Sequence, residues 1–134
     1  MRVDWAIPCR YAEINDGTVT IVGGGIDTLF PESFPADITV NVMTRIVGHP
    51  GEADSEHALA VRVFNPEMES TGEPLEATFA IGLSEAHYPG WEQQVFLPIG
   101  LRFPASEPGS FTVDIAVDGE SHTLALAVRE RPAV

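Results

Sequence analysis

The sequence predicts an all-β fold, in which one domain forms a single antiparallel β-sandwich of about eight or nine strands. Apolar and polar residues alternate along several short segments, as in strands with one buried face. Frequent glycines and prolines, 12 and 11 in number, mark turns between these segments. No segment keeps an apolar period of about 3.6 residues with helix caps. The length of 134 residues fits one domain with its own core.

The C-terminal hairpin shows the alternation most clearly. Residues from Phe111 to Val117 alternate between apolar and polar, and the chain returns through Thr123 to Val128. Between them, Asp118-Gly119 supplies the positive-φ pair of a tight hairpin turn. Because a two-stranded ribbon is marginal in water, its apolar face requires a second layer, which the rest of the chain supplies.

The N-terminal part predicts short strands separated by glycine-rich bends. Pro8 lacks a ladder donor and therefore places the first strand at an edge or a bulge. The glycine triplet Gly23–Gly25 is not a Gly-x-Gly-x-x-Gly loop and predicts a bulge or bend. The predicted elements are a strand over 3–14, a turn at 15–17, a strand over 18–22 and a short strand over 26–30.

The middle of the chain predicts longer strands and acidic loops. Alternation from Ile38 to Val47 indicates a central strand, and Pro98 again marks an edge or bulge. The next strand, over 58–64, is expected to bury Leu59, Val61 and Val63. The remaining elements are loops over 48–56, 65–74 and 82–92, and strands over 75–81 and 93–103.

Composition excludes several classes of partner. Twenty acids and seven bases, all of them arginine, give a net charge of −13. Nucleic acid and anionic membranes are therefore not expected as partners, because phosphate contacts need a basic patch. The start of the chain lacks the unbroken apolar run of a signal peptide, and no stretch approaches the roughly 18 apolar residues of a membrane helix. We expect a cytoplasmic protein.

The residue types that carry catalysis do not form a recognisable set. Cys9 is the only cysteine, which excludes an internal disulfide and favours a small buried side chain. The serines lack the Gly-x-Ser-x-Gly elbow. Metal-ligand spacing is absent among the four histidines, His49, His57, His87 and His122. The sequence therefore predicts neither an enzyme nor a cofactor.

One end of the predicted sandwich is a candidate recognition surface. If each strand crosses the sandwich and reverses, the loops 48–56, 84–92 and 118–120 share one end, and 65–74 and 104–109 share the other. The candidate residues are Asp54, Glu56, Glu85, His87, Tyr88, Trp91, Asp118 and Glu120, with Glu52 beside them. Two interpretations stay open: Tyr88 and Trp91 face a partner, or they fold inward and cap the core.

Several motifs line up with a known family. They are the Asp16-Gly17 turn before Ile21-Val22-Gly23, Phe34-Pro35-Ala36, Val63-Phe64-Asn65-Pro66, Leu101-Arg102-Phe103-Pro104 and Pro108-Gly109-Ser110-Phe111. In this order the chain resembles a family of small bacterial proteins described only as a domain of unknown function. The resemblance implies a β-sandwich similar to immunoglobulin or C2 domains, and no catalytic residue. Two departures are Glu67-Met68-Glu69, where the family tends to have an Asp-Gly turn, and a longer 82–92 loop.

The functional hypothesis is a non-catalytic module for protein binding or assembly. Its partner is another protein or a second copy, and unpaired edge strands could join in a homodimer by sheet extension. The alternative is a small-ligand or calcium-binding sandwich, since acidic loops at one end supply the oxygens that calcium prefers.

Overall fold

The computed structural model describes residues 1–82 and 87–132. These residues form an all-β structure without an α-helix. A single 3₁₀ turn, Pro50–Glu52, lies between the fifth and sixth strands. The ten strands are β1 (Arg2–Cys9), β2 (Tyr11–Asn15), β3 (Thr18–Val22), β4 (Thr28–Leu29), β5 (Ala36–Gly48), β6 (His57–Phe64), β7 (Ser70–Phe79), β8 (Gln93–Ala105), β9 (Gly109–Val117) and β10 (Glu120–Val128).

The strands form three sheets. A three-stranded sheet has the order β1-β5-β8, a five-stranded sheet has the order β4-β10-β9-β6-β7, and β2 pairs with β3 alone. All pairings are antiparallel except that of β4 with β10. As the sequence predicts, the strand that contains Ile38 to Val47 is central, with neighbours on both sides.

The two larger sheets share one hydrophobic core. Inward side chains of β5 and β8 meet those of β6, β9 and β10 in this core. The rings of Phe103 and Phe111 join the two sheets, with centroids 5.3 Å apart. Leu59, Val61 and Val63 are buried on β6, as the alternation predicts. Cys9 is also buried at the end of β1, and this burial raises the pKa of its thiol.

The hairpin turn and the edge prolines are confirmed. Asp118 and Gly119 have φ values of +50° and +81°, which is the geometry that a tight hairpin turn requires. Pro8 and Pro98 lie on β1 and β8, the two edge strands of the three-stranded sheet. Neither proline therefore interrupts a central ladder.

Other strand boundaries differ from the prediction. The described residues form ten strands in three sheets, whereas eight or nine strands are predicted. The segment 3–14 divides at Arg10 into β1 and β2, which belong to different sheets. β1 stays paired with β5 as far as Cys9, and the chain changes sheet at Arg10, whose backbone N–H donates to the carbonyl of Val22 in β3. The short strand expected over 26–30 is reduced to the two residues of β4.

The acidic segment 65–74 is only partly a loop. Its second half belongs to β7, which begins at Ser70 and forms the edge of the five-stranded sheet. The rest of β7 lies within the strand predicted over 75–81, whereas the mostly exposed residues 70–74 lack the apolar alternation that would have revealed them as strand. In the part of the chain that the structure describes, no helix has the length and apolar character for a bilayer crossing.

Candidate recognition site

The loops predicted to share one end of the molecule do meet there. The backbone N–H of Asp54 donates to the carbonyl of Ile81 at 2.9 Å, which joins the loop after β5 to the segment after β7. The turn between β9 and β10 joins the same end, since Asp118 contacts His57 at the start of β6. We call this group of loops the loop end.

His57 is the centre of a buried hydrogen-bond network at the loop end. Its side chain is only 6% exposed. Its Nδ1 lies 2.7 Å from a carboxylate oxygen of Asp118, and its Nε2 lies 2.9 Å from the backbone carbonyl of Glu52. The other carboxylate oxygen of Asp118 accepts the backbone N–H of Ala58 at 3.0 Å. The ring of Phe79 packs against the imidazole at a centroid distance of 5.6 Å.

The network favours a charged histidine. Both ring nitrogens face acceptors, and only the imidazolium can donate to two acceptors at once. The carbonyl of Glu52 and then the Asp118 carboxylate therefore raise the pKa of His57. In return, the backbone N–H of Ala58 and then His57 lower the pKa of Asp118.

The hydrogen bonds of this network oppose the binding of a metal ion. Ligand atoms of Glu52, His57 and Asp118 lie within 4.8 Å of one another, a spacing that a metal ion could bridge. However, the carboxylate of Glu52 already accepts from the backbone N–H of His49 at 2.9 Å and from the amino group of Met1 at 2.6 Å. An incoming cation would have to displace these bonds and those of His57. The cluster is therefore built to hold loops together.

An exposed aromatic pair lies on the loop before β8. Tyr88 and Trp91 are each 66% exposed, and their ring centroids are 5.2 Å apart. The inward, core-capping interpretation of these two residues is therefore wrong. Pro89-Gly90 forms the turn between them, with φ +85° at Gly90 and a hydrogen bond of 3.2 Å from the N–H of Trp91 to the carbonyl of Tyr88. A β-turn brings its first and fourth residues close, so the rings meet.

A groove of about 430 Å³ runs beside the aromatic pair. His87 stabilises one wall, since its Nε2 lies 2.8 Å from the carbonyl of Trp91. The floor includes Gln93, whose side chain is 3% exposed. Within the described residues, the Oε1 atom of Gln93 is buried without a hydrogen-bond partner. The groove is lined by Arg45, Ile81, Gly82, His87, Tyr88, Trp91, Glu92, Gln93 and Gln94.

The charges around this groove are unevenly paired. Arg45 donates to the carboxylate of Asp4 and, through Nε, to Oε1 of Gln94 at 2.8 Å. Glu92 has only a loose partner, since its carboxylate lies 3.8 Å from the guanidinium of Arg2 and both side chains are half exposed. The arginine is therefore neutralised more fully than the glutamate.

The predicted surface residues divide into separate groups. His87, Tyr88 and Trp91 line the groove, whereas Asp118 belongs to the network around the buried His57. The carboxylates of Glu56 and Glu120 are exposed, as is Asp54. Glu85 lies outside the described residues.

Sequence reasoning missed the roles of His57 and Gln93. The partner of His57 lies 61 positions away along the chain, so no local spacing could have indicated the pair. For the aromatic pair a local signal was present. Pro89-Gly90 is typical of a turn with a positive φ at its third position, which places Tyr88 and Trp91 side by side.

Fold and site together define an all-β domain with an aromatic groove on its loops and a buried network beneath them. The model of a family of unknown function, DUF6941, matches residues 4–129. Since the match covers nearly the whole chain, the protein belongs to this family, as the motifs of the sequence indicate. No curated protein and no solved structure shows significant similarity to the chain.

Proposed function

We propose that this protein is a non-catalytic binding module that captures a protein partner in the groove beside Tyr88 and Trp91. The single observation that carries the proposal is the exposure of this aromatic pair, 66% for each ring. Exposed tyrosine and tryptophan are costly on a free surface and are enriched at binding sites. A loop on a rigid scaffold is also where recognition residues usually lie.

We further propose that the two larger sheets form one β-sandwich of the immunoglobulin-like or C2-like type. The shared core between them supports this architecture. A sandwich of this kind presents loops at its two ends and leaves the strands as a rigid support. The bacterial origin and cytoplasmic location expected from the sequence stay predictions.

The chemistry of the loop end supports a non-catalytic role. A histidine acting as a general base needs a free nitrogen within reach of the substrate. The Nε2 atom of His57 instead contacts the backbone carbonyl of Glu52, and the ring is buried. This arrangement is typical of a structural pair.

The proposal is tested with a phage-displayed library of random peptides. Wild-type protein is panned for binders, and the enriched peptides are then measured on a Tyr88→Ala/Trp91→Ala variant. We expect peptides that lose about tenfold or more in affinity on the variant, because exposed aromatics dominate binding energy at such sites. The variant should keep its melting temperature within about 3 °C, since surface substitutions change stability little.

Tyr11→Ala is the matched control. Tyr11 is 53% exposed on β2 and does not line the groove. Peptides selected on the wild type should bind this variant with unchanged affinity. If no peptide distinguishes the double variant from the wild type, or if the double variant unfolds, the groove is not the binding site and the proposal fails.

The alternative of a calcium-binding domain stays a prediction with a simple test. The nearest cluster of carboxylates and histidine has its oxygens engaged in hydrogen bonds. A ligand that binds only the folded state raises the melting temperature by mass action. A higher melting temperature in the presence of millimolar calcium would therefore support a calcium-binding domain over a peptide-binding groove.

A further inference from the structure

We propose that the groove beside Tyr88 and Trp91 takes a basic peptide segment, with an arginine guanidinium stacked on the aromatic pair. This inference rests on the proposed function, because it names the chemistry of the partner that the same groove would bind. Three features favour such a partner: the charge of the molecule, the exposed rings and the buried acceptor of Gln93.

The electrostatic field favours a cation. The net charge of −13 attracts basic segments over long distances and repels acidic ones. Close to the groove, Arg45 is neutralised by Asp4, whereas Glu92 is half exposed and held only loosely by Arg2. Further exposed carboxylates lie on the neighbouring loops, at Asp54, Glu56 and Glu120.

The aromatic pair supplies a contact that suits arginine. A guanidinium is planar, weakly hydrated and attracted to the face of tryptophan or tyrosine. Two rings with centroids 5.2 Å apart and a 44° angle between their planes offer more than one such face. Because each ring is about two-thirds exposed, a side chain can reach these faces without rearrangement of the loop.

Gln93 offers a buried hydrogen-bond acceptor that lacks a donor among the described residues. Its Oε1 atom accepts no hydrogen bond from the described residues although the side chain is 97% removed from solvent. Buried acceptors without partners are rare, because they lose their water and gain nothing in return. A guanidinium carries several N–H donors and no acceptor, so it can satisfy this atom once the Gln93 side chain turns toward the groove that it lines. The carboxylates of acidic side chains offer only acceptors and cannot.

Fluorescence anisotropy tests the inference with a fluorescein-labelled peptide of alternating arginine and glycine. The control peptide carries citrulline, which keeps the planar shape of arginine but has no charge, because a carbonyl oxygen replaces one nitrogen and its N–H donors. We expect the arginine peptide to bind the wild type about tenfold tighter than the citrulline peptide. Tyr88→Ala/Trp91→Ala should weaken its binding about tenfold, and Tyr11→Ala should leave it unchanged.

A second variant, Gln93→Met, removes the acceptor while keeping the shape of the side chain. It should raise the melting temperature, because an unsatisfied buried oxygen is replaced by an apolar group. The same variant should bind the arginine peptide less tightly. A purely structural glutamine would give the opposite result in the first measurement, namely a lower melting temperature.

The outcomes separate this inference from the proposed function. Equal binding of the arginine peptide to the wild type and the double variant would reveal only diffuse charge attraction and would overturn the inference. Binding of cellohexaose at the groove in place of the arginine peptide would overturn it in favour of a glycan. If the random library yields groove-dependent peptides without basic residues, the inference fails and the proposed function stands. If it yields no groove-dependent peptide, both fail.

Discussion

His57 and Asp118 show how a buried charge is held by two turns of the chain. The imidazole sits between a carboxylate and a backbone carbonyl, and the carboxylate is fixed by the N–H of Ala58. Each partner stabilises the charged form of the other, which is why the two pKa values move apart. The consequence is a contribution to stability that depends on pH.

Replacing the carboxylate by an amide tests this contribution. In Asp118→Asn the hairpin turn is kept, because asparagine tolerates the φ of +50° at this position. The amide offers no charge to the imidazolium, so the pKa of His57 should fall, which NMR titration of the ring protons measures. We expect a loss of about 1 kcal/mol in the free energy of unfolding, modest because Asp118 is partly exposed.

The sign of the pH effect follows from the two pKa shifts. A histidine whose pKa is raised in the folded state stabilises fully below its unfolded pKa of about 6.5, and this contribution is lost as pH rises through the folded pKa. Asp118, whose pKa is lowered in the folded state, stabilises the fold fully above its unfolded pKa of about 3.9. This contribution is lost as pH falls through the folded pKa. The loss in the free energy of unfolding caused by Asp118→Asn should therefore be largest between about pH 4 and 6.5.

Asp16→Asn is the control for this experiment. Asp16 and Gly17 occupy a matching hairpin turn between β2 and β3, with φ values of +49° and +76°. This substitution should change the free energy of unfolding little at any pH. A deficit of Asp118→Asn that stays constant from acid to alkaline pH would contradict the charged pair.

At the scale of residues, local chemistry could be predicted and distant contacts could not. The turn at Asp118-Gly119 follows from two neighbouring residues, and the burial of Cys9 follows from its type. The pairing of His57 with Asp118 depends on the alignment of β6 beside β9, which is set by the whole sheet. Nothing in the spacing of the histidines carries that information.

At the scale of elements, the opposite end of the molecule depends on a close approach between two loops. Gly109 begins β9, and a Cβ added there would overlap the ring of Pro66. Pro66 in turn belongs to the turn held by Asn65, whose Oδ1 accepts the backbone N–H groups of Glu67 and Glu69. The turn after Pro66 is thus organised by the side chain of Asn65.

Gly109→Ala tests this approach. The overlap forces Pro66 or the strand to move, and overpacking of this kind costs about 1–3 kcal/mol in the free energy of unfolding. Chemical denaturation measures the loss. Gly100→Ala is the matched control, because Gly100 also lies in a strand and a Cβ there meets no atom within 4 Å.

A double variant tests whether the cost of Gly109→Ala arises from contact with Pro66. Pro66→Ala removes the ring that the new methyl group would meet, so Pro66→Ala/Gly109→Ala should lose less than the sum of the two single variants. Additive losses would show that the cost of Gly109→Ala arises in the strand itself.

Strand bounds follow most directly from the sequence where one face of the strand is buried. β5, β6 and β9 alternate because one face of each packs into the core. β3 is confirmed over 18–22, whereas the sequence predicts a loop for the exposed first half of β7 and does not separate β2 from β1. The division of segment 3–14 between two sheets depends on the hydrogen bond from Arg10 to Val22 of β3, which lies outside that segment.

At the scale of the whole molecule, the edges of the two larger sheets resist pairing with another chain. β4 has only two residues, β1 carries Pro8, β7 carries Pro74, and β8 carries Pro98 and Pro104. Short edges, prolines and charges are the devices by which β-proteins avoid edge-to-edge association. The high negative charge adds mutual repulsion between copies.

Light scattering at several protein concentrations tests what these edges imply. We expect a mass of 14.4 kDa from micromolar to near-millimolar protein, at physiological and at high salt, because repulsion and protected edges both oppose self-association. A mass that doubles with concentration would instead support the homodimer by sheet extension. A doubling only at high salt would show that charge alone keeps the copies apart, whereas a constant mass would agree with the binding surface that we propose at the groove.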